Sequence, residues 1–166
     1  MTLVRAYVWN HKVVLPNVVQ TMDGFFVDEG PVDVFPISPT NDWKNAILKK
    51  LNRGNDIVPT PDGSGDPSSA ILEKLNIVKW STFEHQALMY TLHLGAKYKS
   101  IYRTGKGSDG MWLSSATEQR SFDPRIANYD LLEHFVQYIV KIDQIRTPGT
   151  GLSIIQKPAE ARETSN

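Results

Sequence analysis

The sequence predicts an α+β fold: a single domain with a mainly antiparallel sheet and helices packed on it. Three observations lead there. Short β-branched and aromatic runs separated by turn residues fill the first third of the chain. A helical apolar period runs through Trp43, Ile47 and Leu51 and returns from Leu131 to Ile142. Between those helices, strand-like runs flank glycine-bearing turns in the manner of hairpins.

Residues 3–9 and 12–19 read as two strands, with Asn10-His11 as the tight turn between them. Pro16 has no N–H to donate, so it places the second run at a sheet edge or at a bulge. Met22-Asp23-Gly24 is a further turn, since Asp-Gly accepts the positive φ of a hairpin connection. Two more strands follow at 25–27 and 32–37, separated by Asp28-Glu29-Gly30-Pro31. Alternation sets Val32 and Val34 on one face and leaves Asp33 on the other.

Thr40 or Asn41 caps the first helix, whose stripe of Trp43, Ile47 and Leu51, flanked by Ala46 and Leu48, packs on the sheet. Lys44, Lys49 and Lys50 lie on its other face, the cations near its end suit the helix dipole, and Gly54 stops it. Ile57-Val58 is expected as a short strand or an extended segment plugging the core. Pro59 and Pro61 stiffen the exit. Asp66-Pro67 opens a helix reaching Leu75, with Ile71, Leu72 and Leu75 inward. Ser81-Thr82-Phe83-Glu84 fits a capping box, so another helix starts there. Tyr90 and His93 suit helix or strand; a helix to Leu88 is expected, then a strand over 89–94 paired with 98–103. Residues 104–110 form a glycine-rich hairpin loop, 111–115 return as a strand, and more strand follows near 120–122. Asn128 or Asp130 begins the last helix, with Leu131, Leu132, Phe135, Val136, Ile139 and Ile142 as its stripe. The domain thus spans 1–146, with 147–166 as a flexible C-terminal tail.

Composition removes several classes of function. A 166-residue chain can bury roughly 70% of its unfolded surface, so a core needs no metal or disulfide. The absence of cysteine excludes thiolate zinc sites and cysteine nucleophiles. Eighteen Lys plus Arg against eighteen Asp plus Glu give no basic excess, which argues against direct nucleic-acid binding. There is no basic region followed by an apolar run at the N-terminus and no apolar stretch of membrane-spanning length. A cytoplasmic location without membrane contact is expected, with a monomer favoured over an obligate oligomer.

The motifs of catalysis fare poorly. Gly105-Lys106-Gly107-Ser108 lacks the leading glycine of a phosphate loop and joins two strands, so it reads as a hairpin. His11, His85, His93 and His134 form no metal-ligand spacing, and Gly63-Ser64-Gly65 is loop rather than nucleophile elbow. No catalytic residue, metal or cofactor is assigned. The acidic run Asp23, Asp28, Glu29 and Asp33 has no Lys or Arg between Lys12 and Lys44. It is either a solvated face or a docking surface for a basic partner. Lys106 and Asp109 in the glycine-rich loop, with Trp112 beside it as an aromatic anchor, complete the candidate contact residues.

One stretch carries a family likeness. Arg53-Gly54-Asn55-Asp56-Ile57-Val58-Pro59-Thr60-Pro61 follows Tyr7-Val8-Trp9-Asn10 and Gly24-Phe25-Phe26-Val27-Asp28, and precedes Trp80-Ser81-Thr82-Phe83-Glu84. In this order the chain resembles the small bacterial immunity proteins of contact-dependent growth inhibition systems, from residue 4 to about 140. The resemblance implies a non-enzymatic protein that binds the toxic C-terminal domain of an effector, often a nuclease, and occludes its active site. It supplies no catalytic residues, and it implies that the shared stretch is scaffold. The alternative is an enzyme or small-ligand binder whose site is assembled from scattered polar residues.

Overall fold

Asn10 and His11 take φ of 46° and 56°, the left-handed pair of a two-residue hairpin turn. They join β1 (Thr2–Trp9) to β2 (Lys12–Thr21), with Trp9 opposite Lys12. The computed structural model describes residues 1–62 and 69–146; the predicted tail and the Asp66-Pro67 helix start lie outside them. Among the described residues, β3 (Phe26–Pro36), β4 (Ile57–Val58), β5 (Leu88–Leu94), β6 (Lys99–Lys106) and β7 (Trp112–Phe122) complete a seven-stranded sheet. Its order is β3-β2-β1-β5-β6-β7, antiparallel throughout, with β4 added parallel to β2. The α+β class follows directly.

Pro16 marks a bulge rather than an edge. Strand β2 lies inside the sheet, and its pairing with β3 shifts between Leu15 and Asn17. Pro31 falls in the same break, between the pairs Leu15–Asp33 and Asn17–Glu29. Neither missing N–H then interrupts a ladder, which is why Asp28-Glu29-Gly30-Pro31 continues β3 instead of separating two strands. The recorded β1–β2 pairing also stops short of Pro16, at Tyr7–Val14. Farther along β2, Gln20 and Thr21 pair with Ile57 and Val58 of β4.

Asn55 fills the fork this creates. Its Oδ1 accepts the Leu3 N–H at 2.7 Å, and its Nδ2 donates to the carbonyls of Leu3 and Val18 at 2.8 and 2.7 Å. One side chain thus replaces ladder bonds that separated strands cannot make.

Helix α1 (Asn41–Arg53) buries Trp43, Ile47 and Leu51 as its period requires. Thr40 precedes it without a side-chain cap, and Gly54, at φ 81°, donates its N–H to Lys50 and ends it. Helix α2 (Ser69–Leu75) buries Ile71. Helix α3 (Trp80–Gln86) starts one residue before Ser81, so the expected capping box does not form. Tyr90 and His93 stand on β5, and the two predicted runs after Gly110 are the single strand β7. Helix α4 (Asn128–Arg146) closes the described chain. No helix among the described residues is long and apolar enough to cross a membrane.

The two-residue period of β1 makes three layers. Val4, Ala6 and Val8 face α1 and α4, joining Leu15, Leu92, Trp43, Ile47, Phe135 and Ile139 in one core. Tyr7 faces the other way with Val14 and Val32, beneath Ile71 of α2 and Phe83 of α3. Each fully buried Leu, Ile or Phe contributes roughly 1.5–3 kcal/mol through removal of apolar surface from water. Ile57 corrects one expectation: it is 72% exposed and does not plug the core.

Candidate functional site

The acidic run does not form one surface. Asp28 is only 8% exposed, because its side chain turns toward the α2–α3 side of the sheet. There it accepts a hydrogen bond from Arg5 Nη1 at 2.5 Å and another from the Tyr7 hydroxyl. Burial raises the Asp28 carboxyl above its ordinary range, against the opposing pull of Arg5 and the Tyr7 bond. Burial likewise pushes the Tyr7 phenol well up, and the Asp28 charge adds to it. For Arg5, burial opposes the charge, yet Asp28 and Tyr7 hold the guanidinium above its ordinary value. Asp28 is therefore an internal ion-pair residue, not a contact residue.

Asp33 is half-buried and lies 3.8 Å from Lys50 of α1, a partner no sequence count between Lys12 and Lys44 could reveal. Burial lowers the Lys50 ammonium below its ordinary value, with Asp33 opposing that shift. Asp23 and Glu29 are exposed and have no ion pair among the described residues.

Lys106, Asp109 and Trp112 come together, but as a latch between the β6–β7 turn and α3. Lys106 Nζ donates to the carbonyls of Glu84 and His85, and it lies 5.7 Å from the Trp112 ring centroid. Glu84 Oε1 accepts the Trp112 N–H at 2.7 Å. The Asp109 carbonyl bonds His85 Nε2 at 2.7 Å, and its carboxylate accepts the Met111 N–H at 3.1 Å. The Trp112 ring is half-buried among Tyr7, Trp80 and Phe83, at centroid distances of 5.4, 5.6 and 6.2 Å. Trp112 is thus a packing residue rather than a surface anchor; Asp109 remains exposed at the tip.

Two features escape a reading of the sequence. At one end of the sheet, the β2–β3 turn is stitched to the segment around β4. Gln20 N–H donates to Asp56 O at 2.9 Å, Met22 N–H to Val58 O at 3.0 Å, and Asp23 N–H to Thr60 Oγ1 at 3.3 Å. This stitching brings Met22, Phe25 and Ile57 to one corner, at 74, 67 and 72% exposure, with Asp23 among them. Three large apolar side chains are thus left in water beside a carboxylate that has no ion pair among the described residues. Only the strand pairing, separated by more than thirty residues of chain between Gln20 and Ile57, brings them together.

The second feature is a cavity of about 520 Å³ beside α4, lined by Tyr90, Ile101, Arg103, Glu118, Arg120 and Tyr138 among others. The register explains the grouping: Tyr90 is opposite Arg103, Arg103 opposite Glu118, and Ile101 opposite Arg120, so these side chains share a face. No group of three or more metal-ligating side chains occurs among the described residues.

Comparison with protein families and with curated proteins finds no match. Among solved structures, the chain is similar to NMB0488, a protein of unknown function from Neisseria meningitidis. The TM-score is 0.60 at 7% sequence identity, covering 85% of this chain and 94% of that one. At that identity the likeness concerns the fold alone.

Proposed function

We propose that the protein is an immunity protein, a non-enzymatic inhibitor that binds a cognate toxin domain, a nuclease by preference, and occludes its active site. The observation that supports this reading best is the corner formed by Met22, Phe25 and Ile57 with Asp23, and Glu29 farther along β3. A nuclease presents a basic groove, and an exposed carboxylate beside apolar anchors complements such a groove. Of the acidic run, Asp23 and Glu29 are exposed to meet such a groove, whereas Asp28 is buried against Arg5 and Asp33 lies beside Lys50. The reading also draws on the likeness carried by Arg53 to Pro61, whose Gly54 and Asn55 serve the scaffold.

Co-expression with the C-terminal domain of a large exoprotein, to be sought in the neighbouring reading frame, tests the proposal. Growth rescue and co-purification of a stoichiometric complex are expected. Survival of toxicity with no complex overturns it. The cavity beside α4 favours a second reading, small-ligand binding, which can accompany the first.

A further inference from the structure

We infer that the cavity between α4 and the outer strands β6 and β7 binds a small monocarboxylate with a flat or apolar body. The inference stands apart from the immunity reading, because it rests on different residues at a different place in the fold. The cavity volume of about 520 Å³ falls within the range of roughly 300–1,000 Å³ typical of small-molecule sites.

The charges within it are arranged for one negative group. Arg103 is fixed by Glu118, whose Oε1 lies 3.0 Å from its Nη2. Arg120 is two residues along β7 from Glu118, on the same face, and has no ion pair among the described residues. Among the described lining residues, two guanidinium groups and one carboxylate leave a single positive charge. A monocarboxylate neutralises it and matches the planar donor fork of Arg120 with two parallel N–H···O bonds. A phosphate dianion leaves a net negative charge next to Glu118, so the site discriminates against it.

The rest of the lining suits the ligand's body. Ile101 and Tyr90 form an apolar floor from β6 and β5, and Tyr138 brings an aromatic ring and a phenol from α4. Aromatic and aliphatic walls around a few oriented polar groups are the usual make-up of such a site.

Titration of the full chain with benzoate, followed by amide NMR shifts and calorimetry, tests the inference. Saturable shifts are expected at residues 101–103 and 118–120. Arg120→Ala is expected to weaken binding at least tenfold, and Arg120→Lys less, since it keeps charge but loses the fork. Arg120 is exposed, so both variants should fold, as checked by their unchanged spectra elsewhere. Inorganic phosphate and uncharged benzyl alcohol should each bind at least tenfold more weakly than benzoate. Absence of saturable shifts, equal affinity in Arg120→Ala, or tighter binding of phosphate each overturns the inference. A toxin-rescue assay on Arg120→Ala keeps the two proposals separate, because rescue is expected to persist.

Discussion

Asn55 clasps both backbone polar groups of Leu3, accepting from its N–H at 2.7 Å and donating to its carbonyl at 2.8 Å. The same amide reaches Val18, so one side chain ties β1 to β2 where their ladder has parted. Asn55→Asp keeps the acceptor, loses both donors and sets a negative charge against two carbonyl oxygens. It is expected to cost about 2–4 kcal/mol, the range for losing charge-sensitive bonds at partly buried groups. Urea unfolding of the variant measures this; a loss below half a kilocalorie would show the fork to be held by other contacts.

The Arg5–Asp28–Tyr7 group predicts an asymmetry between single and combined replacement. Asp28→Ala leaves Arg5, only 19% exposed, as an uncompensated charge, and about 3–5 kcal/mol should be lost. Arg5→Met together with Asp28→Leu and Tyr7→Phe should recover most of that, since neither a charge nor the Tyr7 hydroxyl is then left buried without a partner. Denaturant unfolding of the single and combined variants resolves the two cases.

Acid titration separates this group from a surface pair by sign. The folded state raises the Asp28 carboxyl above its ordinary 3.8, so the folded protein binds that proton more tightly than the unfolded chain. Its contribution to stability is full below that ordinary value and is lost as pH rises through the folded one. Glu133 behaves oppositely. Hydrogen bonds from Lys44 and then Tyr129 hold its carboxyl below its ordinary 4.5. That contribution is present above 4.5 and is lost as pH falls through the depressed value. Stability curves through the acid range should therefore lose slope of opposite sign in Asp28→Asn and in Lys44→Ala.

At the corner, Met22→Ser, Phe25→Ser and Ile57→Ser should each leave stability within about 0.5 kcal/mol, because the side chains are already in water. The proposed complex with a toxin domain is expected to weaken at least tenfold for the triple variant. Asp23→Lys and Glu29→Lys should act mainly on association rate and flatten its salt dependence. Surface plasmon resonance at two ionic strengths reads both effects; unchanged kinetics would remove this corner from the interface.

Gly110 offers a sharper probe of the latch. It sits at φ 80°, and a Cβ there would collide with the His85 ring. Gly110→Ala should displace His85, break its bond to the Asp109 carbonyl and speed amide exchange across the β6–β7 turn. Protection unchanged at Gly107 and Met111 would argue that the turn holds without α3.

Local chemistry carried much of this fold into the sequence. Asn10-His11, the Trp43 stripe, Gly54 and the α4 stripe act through neighbours a few residues away, and each is legible there. Pro31 misled because its meaning depends on Pro16, a strand away, which shares its break in register. Asp28 misled for the same reason: its partners Arg5 and Tyr7 precede it by more than twenty residues. Ser81 and Glu84 matched a capping pattern, but Glu84 is drawn to the Trp112 N–H instead. The corner and the cavity were hidden for a broader reason. Both are products of strand register, and register is decided by the whole sheet rather than by any one segment.

The place of β1 in that sheet bears on how the chain reaches its native state. β1 pairs with β5 from Thr2–Leu94 to Val8–Leu88, closing a loop whose entropy costs on the order of 4 kcal/mol beyond a constant term. The β1–β2–β3 meander and the β5–β6–β7 meander need only short-range closures, so each can form early on its own side. Joining them along β1 is then expected to be the slow step, checked by whether a Val4→Ala change in this seam slows refolding more than a change in either hairpin. On the ribosome, the β5-facing edge of β1 cannot begin to pair before Leu88 is synthesised and cannot pair fully before Leu94. A nascent chain held before that point exposes an apolar strand edge to whatever chaperone or neighbouring chain is at hand.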